Sequence, residues 1–176
     1  MMWTEKGFGL NDYFVIAAVI VSWVIYIFLP KIFSKQMIVF IFLYSLTIAS
    51  IFDNSFGATP IDLYDIMDGP AYTVMDIPVY LLYPPAGYIF LFLYQKLQIR
   101  DHYLVFFIMA STSVSLGIEW IYHNLGVFHY KDEYNMIYSI CIYLFVQSLF
   151  VLFYRILKPN QHFHGGDRIA TTKSRH

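Results

Sequence analysis

The chain has 176 residues, of which 59% are hydrophobic, 20% aromatic and 13% charged, against roughly 25% charged in an ordinary soluble domain. The formal net charge of -1 leaves no basic excess to neutralise phosphates, which excludes nucleic acid as a partner. Cys141 is the sole cysteine, so neither an internal disulfide nor a thiolate metal site can form within the chain.

A helix needs about 20 mainly apolar residues to cross a bilayer, with roughly 17 to 25 as the working range. Five stretches free of Asp, Glu, Lys and Arg meet that need: Tyr13–Pro30, Gln36–Phe52, Ile77–Gln95, His102–Ile118 (the helix itself reading on to about residue 121) and Tyr134–Tyr154. Runs such as Met37–Leu43 are apolar at every position, whereas barrel strands alternate. The fold class is therefore all-α, a polytopic membrane bundle of five transmembrane helices over residues 1–158, with the lipid bilayer as its solvent. The first span is too long and aromatic for a removable signal peptide and is expected to stay in the mature chain. Residues 159–176 lose hydrophobicity and carry Gly165-Gly166, as a flexible cytoplasmic tail does; His162 and His164 there are at most weak metal ligands.

Orientation follows from Lys and Arg in short connections. Lys31, Lys35, Lys96, Arg100, Arg155, Lys158, Arg168, Lys173 and Arg175 fall on one side, and only Lys6 and Lys131 on the other. The expected topology has the N-terminus outside and the C-terminus cytoplasmic. Ten of the twelve acidic residues then lie outside or at the outer membrane edge.

The second and third spans are framed by two aspartates. Asp53 closes span two, and Asp76, just before Ile77-Pro78, reads as a helix cap because its oxygen can accept a free amide of the first turn. Between them, Asp62, Asp65 and Asp68 have an acidic spacing but lack the ligand pattern and distal Glu of a calcium loop. Pro84-Pro85 lies inside span three, where it bends the helix and, with Gly87 close by, can open a small cavity. Tyr80, Tyr83, Tyr88 and Tyr94 place hydroxyls along the same span.

The fourth span carries Ser111, Ser115, Glu119 and His123 at intervals of four, which puts all four on one stripe of a helix. The fifth repeats the device with Asn135, Ser139, Tyr143 and Gln147. Two such stripes facing each other make an interior polar seam. An ionisable group in hydrocarbon turns toward protein or water and is a functional candidate by default, so Glu119 leads, with His123 as its local partner. The plainer role for Ser, Asn and Gln is to join helices by hydrogen bonds of about 0.6 to 2 kcal/mol. Glu119 and His123 offer only two metal ligands where a stable site needs three or four, so no metal is expected. No nucleophile elbow, phosphate loop or dinucleotide fingerprint is present, and no cofactor is expected.

Four features together resemble a family of small multi-span membrane proteins of spore-forming Firmicutes: Phe52-Asp53 at the end of span two, a Pro-containing third span ending in Tyr94-Gln95, Glu119 followed by Leu125–Phe128, and Tyr138-Ser139 followed by Tyr143. The resemblance covers about residues 51–157 and implies a bacterial inner-membrane location. Two shorter pieces, Gly126–Tyr130 and Asp76–Val79, are similar to parts of membrane lycopene cyclases, which place paired acidic residues after the proline where this chain has Val79-Tyr80.

Two functions follow as expectations. In the first, the protein is non-catalytic and its polar seam near the outer face, built on Glu119, His123, Asp53, Asp76, Ser115, Asn135, Ser139 and Tyr143, holds a small ligand or ion or docks a membrane protein partner. In the second, it is an integral-membrane enzyme acting on a lipid or isoprenoid, with Glu119 as general acid.

Overall fold

A computed structural model describes residues 8–57, 61–67, 74–131 and 134–158. Glu5, Lys6, Asp68, Asp132, Glu133 and the whole tail 159–176, with its two histidines, lie outside the described residues.

Helix α1 (Leu10–Phe28) opens at Gly9, whose amide donates to the Asp12 carboxylate at 2.6 Å. Helix α2 (Lys35–Phe56) opens at Ser34, whose hydroxyl accepts from the Met37 amide. The third hydrophobic run divides into α3 (Asp76–Tyr80) and α4 (Tyr83–Lys96). Helices α5 (Asp101–Asn124) and α6 (Met136–Leu157) follow, and two short strands, β1 (Tyr64–Ile66) and β2 (Phe128–Tyr130), pair antiparallel between the connections. Five segments, with α3 and α4 counted as one, are long and apolar enough to cross a membrane by length and composition. The architecture is all-α, as the charge-free runs require. Phe28, Phe106 and Ile156 are 83%, 69% and 67% exposed, which suits side chains facing lipid.

Several local expectations are corrected. Asp53 does not end its helix: α2 runs on to Phe56 because the aspartate finds hydroxyl donors inside the fold. Asp76 is not a cap, since Met75 occupies that position and Asp76 is the buried first residue of α3. Pro84 and Pro85 do not kink a continuous helix. The break falls earlier, at Leu81-Leu82, and the prolines sit in the first turn of α4, where a missing N–H leaves no bond unmade. Gly87 opens no cavity either; a Cβ there would collide with the Ser45 hydroxyl, so the glycine lets α4 lie directly against α2.

Helix α4 packs between α1 and α2, α5 packs along α6, and α6 reaches back to α2. The larger core joins Ile41, Tyr44, Tyr88, Leu91, Phe92, Phe150, Val151 and Tyr154. Most of its contacts are aromatic: Tyr44 stacks on Phe150 at 4.3 Å, and fully buried Tyr88 donates its hydroxyl to the Pro30 carbonyl at 2.8 Å. Lipid removes the hydrophobic drive between helices, so such close packing and hydrogen bonding carry association instead. At this end Arg155 pairs with Asp101 at 2.7 Å and bonds Tyr94, and Lys158 and Tyr154 both reach Gln95.

The opposite end holds the β-ribbon and a smaller core of Val15, Met67, Val79 and Val127. Gly126 lies just past the end of α5 with φ +72, a left-handed turn that suits glycine and aims the chain into β2. The Val127 carbonyl then accepts from the Met67 amide at 2.8 Å, joining the two connections. Lys131 pins the ribbon, with its ammonium 2.6 Å from Asp62 and 2.9 Å from Asp65.

Candidate functional site

The ribbon register places Tyr64 directly opposite Tyr130. Residues opposed in an antiparallel pair point to the same face, and here that face meets the membrane helices. Tyr64 donates to Asp53 Oδ1 of α2 at 2.9 Å, and Tyr130 donates to Glu119 Oε1 of α5 at 2.6 Å. Each strand thus supplies one hydroxyl to one carboxylate, half-buried Asp53 and buried Glu119.

Around Asp53 the donors come from three elements. Tyr83 of α4 bonds Oδ2 at 3.3 Å, and Tyr80 of α3 is a third hydroxyl partner. The Asp76 carboxylate is near enough to repel the Asp53 charge, so the two aspartates that frame the long connection share one neighbourhood. Burial pushes the Tyr64 phenol well above its ordinary range, and the Asp53 charge adds to that shift, which keeps the hydroxyl a proton donor.

Around Glu119 the donors are Tyr130 and Ser139, both at 2.6 Å from Oε1, and Ser139 is itself hydrogen-bonded to the Tyr134 hydroxyl at 2.6 Å. Glu119 is 5% exposed, and its second oxygen, Oε2, is buried without a hydrogen bond among the described residues. No Lys, Arg or His among the described residues forms an ion pair with it. Tyr130, like Tyr64, is held above the usual phenol range, by burial first and then by its bond to Glu119.

Tyr143 of α6 joins the two halves. Its hydroxyl faces Glu119, and it is also an electrostatic neighbour of Tyr64 and Tyr83 on the Asp53 side. The result is a continuous layer of three carboxylates, six tyrosines and one serine beneath the ribbon, in which Glu119, Asp76, Ser139, Tyr64 and Tyr134 are buried and the rest half-buried. Its hydroxyls can donate to anions or accept from cations, whereas its fixed charges are all negative.

The expected seam between α5 and α6 is present but differs in membership. Ser139 and Tyr143 join Glu119. One to two turns away, Ser115 accepts from Gln147 at 3.2 Å, and Thr112, absent from the sequence-based set, donates to Gln147 at 3.3 Å. Ser115 therefore belongs to a helix-joining network. Asn135 caps α6 by accepting from the Ile137 amide at 2.8 Å and is not in the site. His123 is not the partner of Glu119: it is exposed, its Nδ1 bonds the Phe128 carbonyl at 2.9 Å, and its ring stacks on Tyr130 at 4.3 Å. It acts on the acid only by holding Tyr130.

The residues that sequence reasoning missed as site members are Tyr64, Tyr80, Tyr83, Tyr130 and Tyr134, of which Tyr80 and Tyr83 show in the sequence only as hydroxyls along the third span. Their one signal is aromatic residues flanking the acidic connections, which an interfacial belt also produces. Asp62 and Asp65 hold Lys131 and are thereby occupied. Among the described residues no group of three or more His, Cys, Asp or Glu side chains could hold a metal ion.

No protein-family model, curated protein or solved structure matches this chain, and the chemistry of the site rests on its own geometry.

Proposed function

We propose that this is a non-catalytic, multi-pass protein of a bacterial cell membrane whose buried seam, near the outer face, binds a small ligand or an ion. The observation that carries the reading is Glu119: a carboxylate 95% removed from solvent, with two hydroxyl donors on one oxygen and no hydrogen bond among the described residues on the other. A buried charge of that kind needs a compensating partner. A bound species in the seam would supply it.

The orientation we propose has the ribbon outside and the C-terminus cytoplasmic. Lys31, Arg155 and Lys158 gather at the opposite end from the ribbon, and the excess of Lys and Arg in short loops marks the cytoplasmic side. Binding is favoured over partner docking because Glu119, Ser139 and Asp76 are all buried within the single chain and present no face to a neighbouring helix. It is favoured over acid catalysis on a lipid because Tyr130 and Ser139 close directly on Glu119, with Tyr134 behind Ser139, and an ion or small molecule needs far less opening than an acyl or isoprenoid chain.

The test is mass spectrometry of what co-purifies with the wild type in native lipid discs, compared with Glu119→Gln at equal folded yield. A small molecule or ion bound by the wild type and missing from the variant is the expected result. Identical profiles would return Glu119 to a structural role.

A further inference from the structure

Resting on the binding role just proposed, we infer that the species held at Glu119 is a monovalent inorganic cation, coordinated by Glu119 Oε2 and the Tyr143 hydroxyl oxygen. The second oxygen of Glu119 is buried and carries no hydrogen bond among the described residues, while its first oxygen is saturated by Tyr130 and Ser139. The Tyr143 hydroxyl faces the same carboxylate. The open coordination sites are therefore oxygen atoms, which suit hard cations.

Charge selects the valence. Glu119 brings one negative charge, and its close neighbours Tyr130, Tyr134, Ser139 and Tyr143 are neutral hydroxyls. One positive charge matches the single carboxylate that reaches this position, whereas a divalent ion would exceed it. A divalent site would also call for more anionic ligands, and no set of three His, Cys, Asp or Glu side chains converges among the described residues. Lys131, next to Tyr130 in sequence, is held by Asp62 and Asp65.

The experiment is thermal unfolding of the full chain in lipid discs, titrating sodium or potassium chloride against N-methylglucamine chloride at constant ionic strength. The midpoint of the wild type is expected to rise with the logarithm of one alkali-cation concentration. Tyr143→Phe, which keeps the ring and the acid, is expected to need at least several-fold more cation for the same rise. A wild-type midpoint that is the same in all three salts, or an identical titration in Tyr143→Phe, overturns the inference. Neither readout depends on Glu119→Gln folding. If the midpoint ignores alkali cations while a co-purifying molecule is still lost from Glu119→Gln, this inference falls and the binding role stands.

Discussion

Tyr64 and Tyr130 oppose each other across the ribbon and donate their hydroxyls to acids on two different membrane helices, Asp53 on α2 and Glu119 on α5. The ribbon is thus a cap tied to both halves of the bundle through the groups it covers. Its third tie, Lys131 to Asp62 and Asp65, is half-buried and lies apart from the hydroxyl layer.

Removing either phenol should loosen the cap. Tyr130→Phe leaves Glu119 with Ser139 and the facing Tyr143 hydroxyl, and Tyr64→Phe leaves Asp53 with Tyr83 and Tyr80. Each substitution is expected to cost about 1–2 kcal/mol, the range for hydrogen bonds to charged groups discounted for a membrane setting. Thermal unfolding in lipid discs measures it. The double variant should cost other than the sum of the two, because one ribbon carries both donors.

The Lys131 tie sets an alkaline limit. Asp62 and Asp65 hold the ammonium above its ordinary value of 10.5. A raised value means the pairing contributes fully at pH below 10.5 and is lost as pH climbs through the higher folded-state value. The gap in melting midpoint between wild type and Lys131→Met should hold steady through neutral and mildly basic pH and close above that point. Tyr64 and Tyr130 titrate in the same direction in both proteins, so the difference isolates Lys131. The gap should also shrink in high salt, since the pair is only half-buried.

Close approach of α4 to α2 depends on Gly87. A methyl group there meets Ser45 Oγ, which is bonded to the Ile41 carbonyl at 2.8 Å, with Phe150 close behind. Gly87→Ala is expected to destabilise by roughly 1–3 kcal/mol through overpacking. Adding Ser45→Ala should recover part of that loss. A neutral Gly87→Ala would show that the two helices are not in contact at this level.

The Thr112–Gln147–Ser115 network predicts a different pattern. Gln147→Leu removes two interhelical bonds at about 0.6–1.7 kcal/mol each. Stability should fall by about 1–3 kcal/mol, while the species bound at Glu119 in co-purification is unchanged. Loss of that species would place Gln147 within the binding machinery.

The spans were legible because a charge in hydrocarbon is costly, and the charge-free runs mark the helices to within a few residues. Their ends were less so. Asp53 looks like a boundary in sequence, yet α2 passes beyond it, with tyrosine hydroxyls satisfying the acid. Glu119, Ser139 and Tyr143 were legible as one seam from the spacing of four, a local property of α5 and α6. Tyr64 and Tyr130 were not: they are 66 positions apart, and their meeting depends on two three-residue strands too short to leave an alternating pattern. His123 misled for the same reason, since helical spacing cannot foresee a ring turned outward onto Tyr130.

Infrared difference spectroscopy addresses Glu119 itself. The spectrum is taken between protein as isolated in native lipid discs and the same protein after exhaustive exchange into ion- and lipid-depleted discs. Occupancy of the seam predicts a carboxyl band that changes between the two states, is absent from Glu119→Gln, and shifts on isotopic labelling of glutamate. A Glu119 band identical in both states would contradict the proposal that this acid holds a bound species.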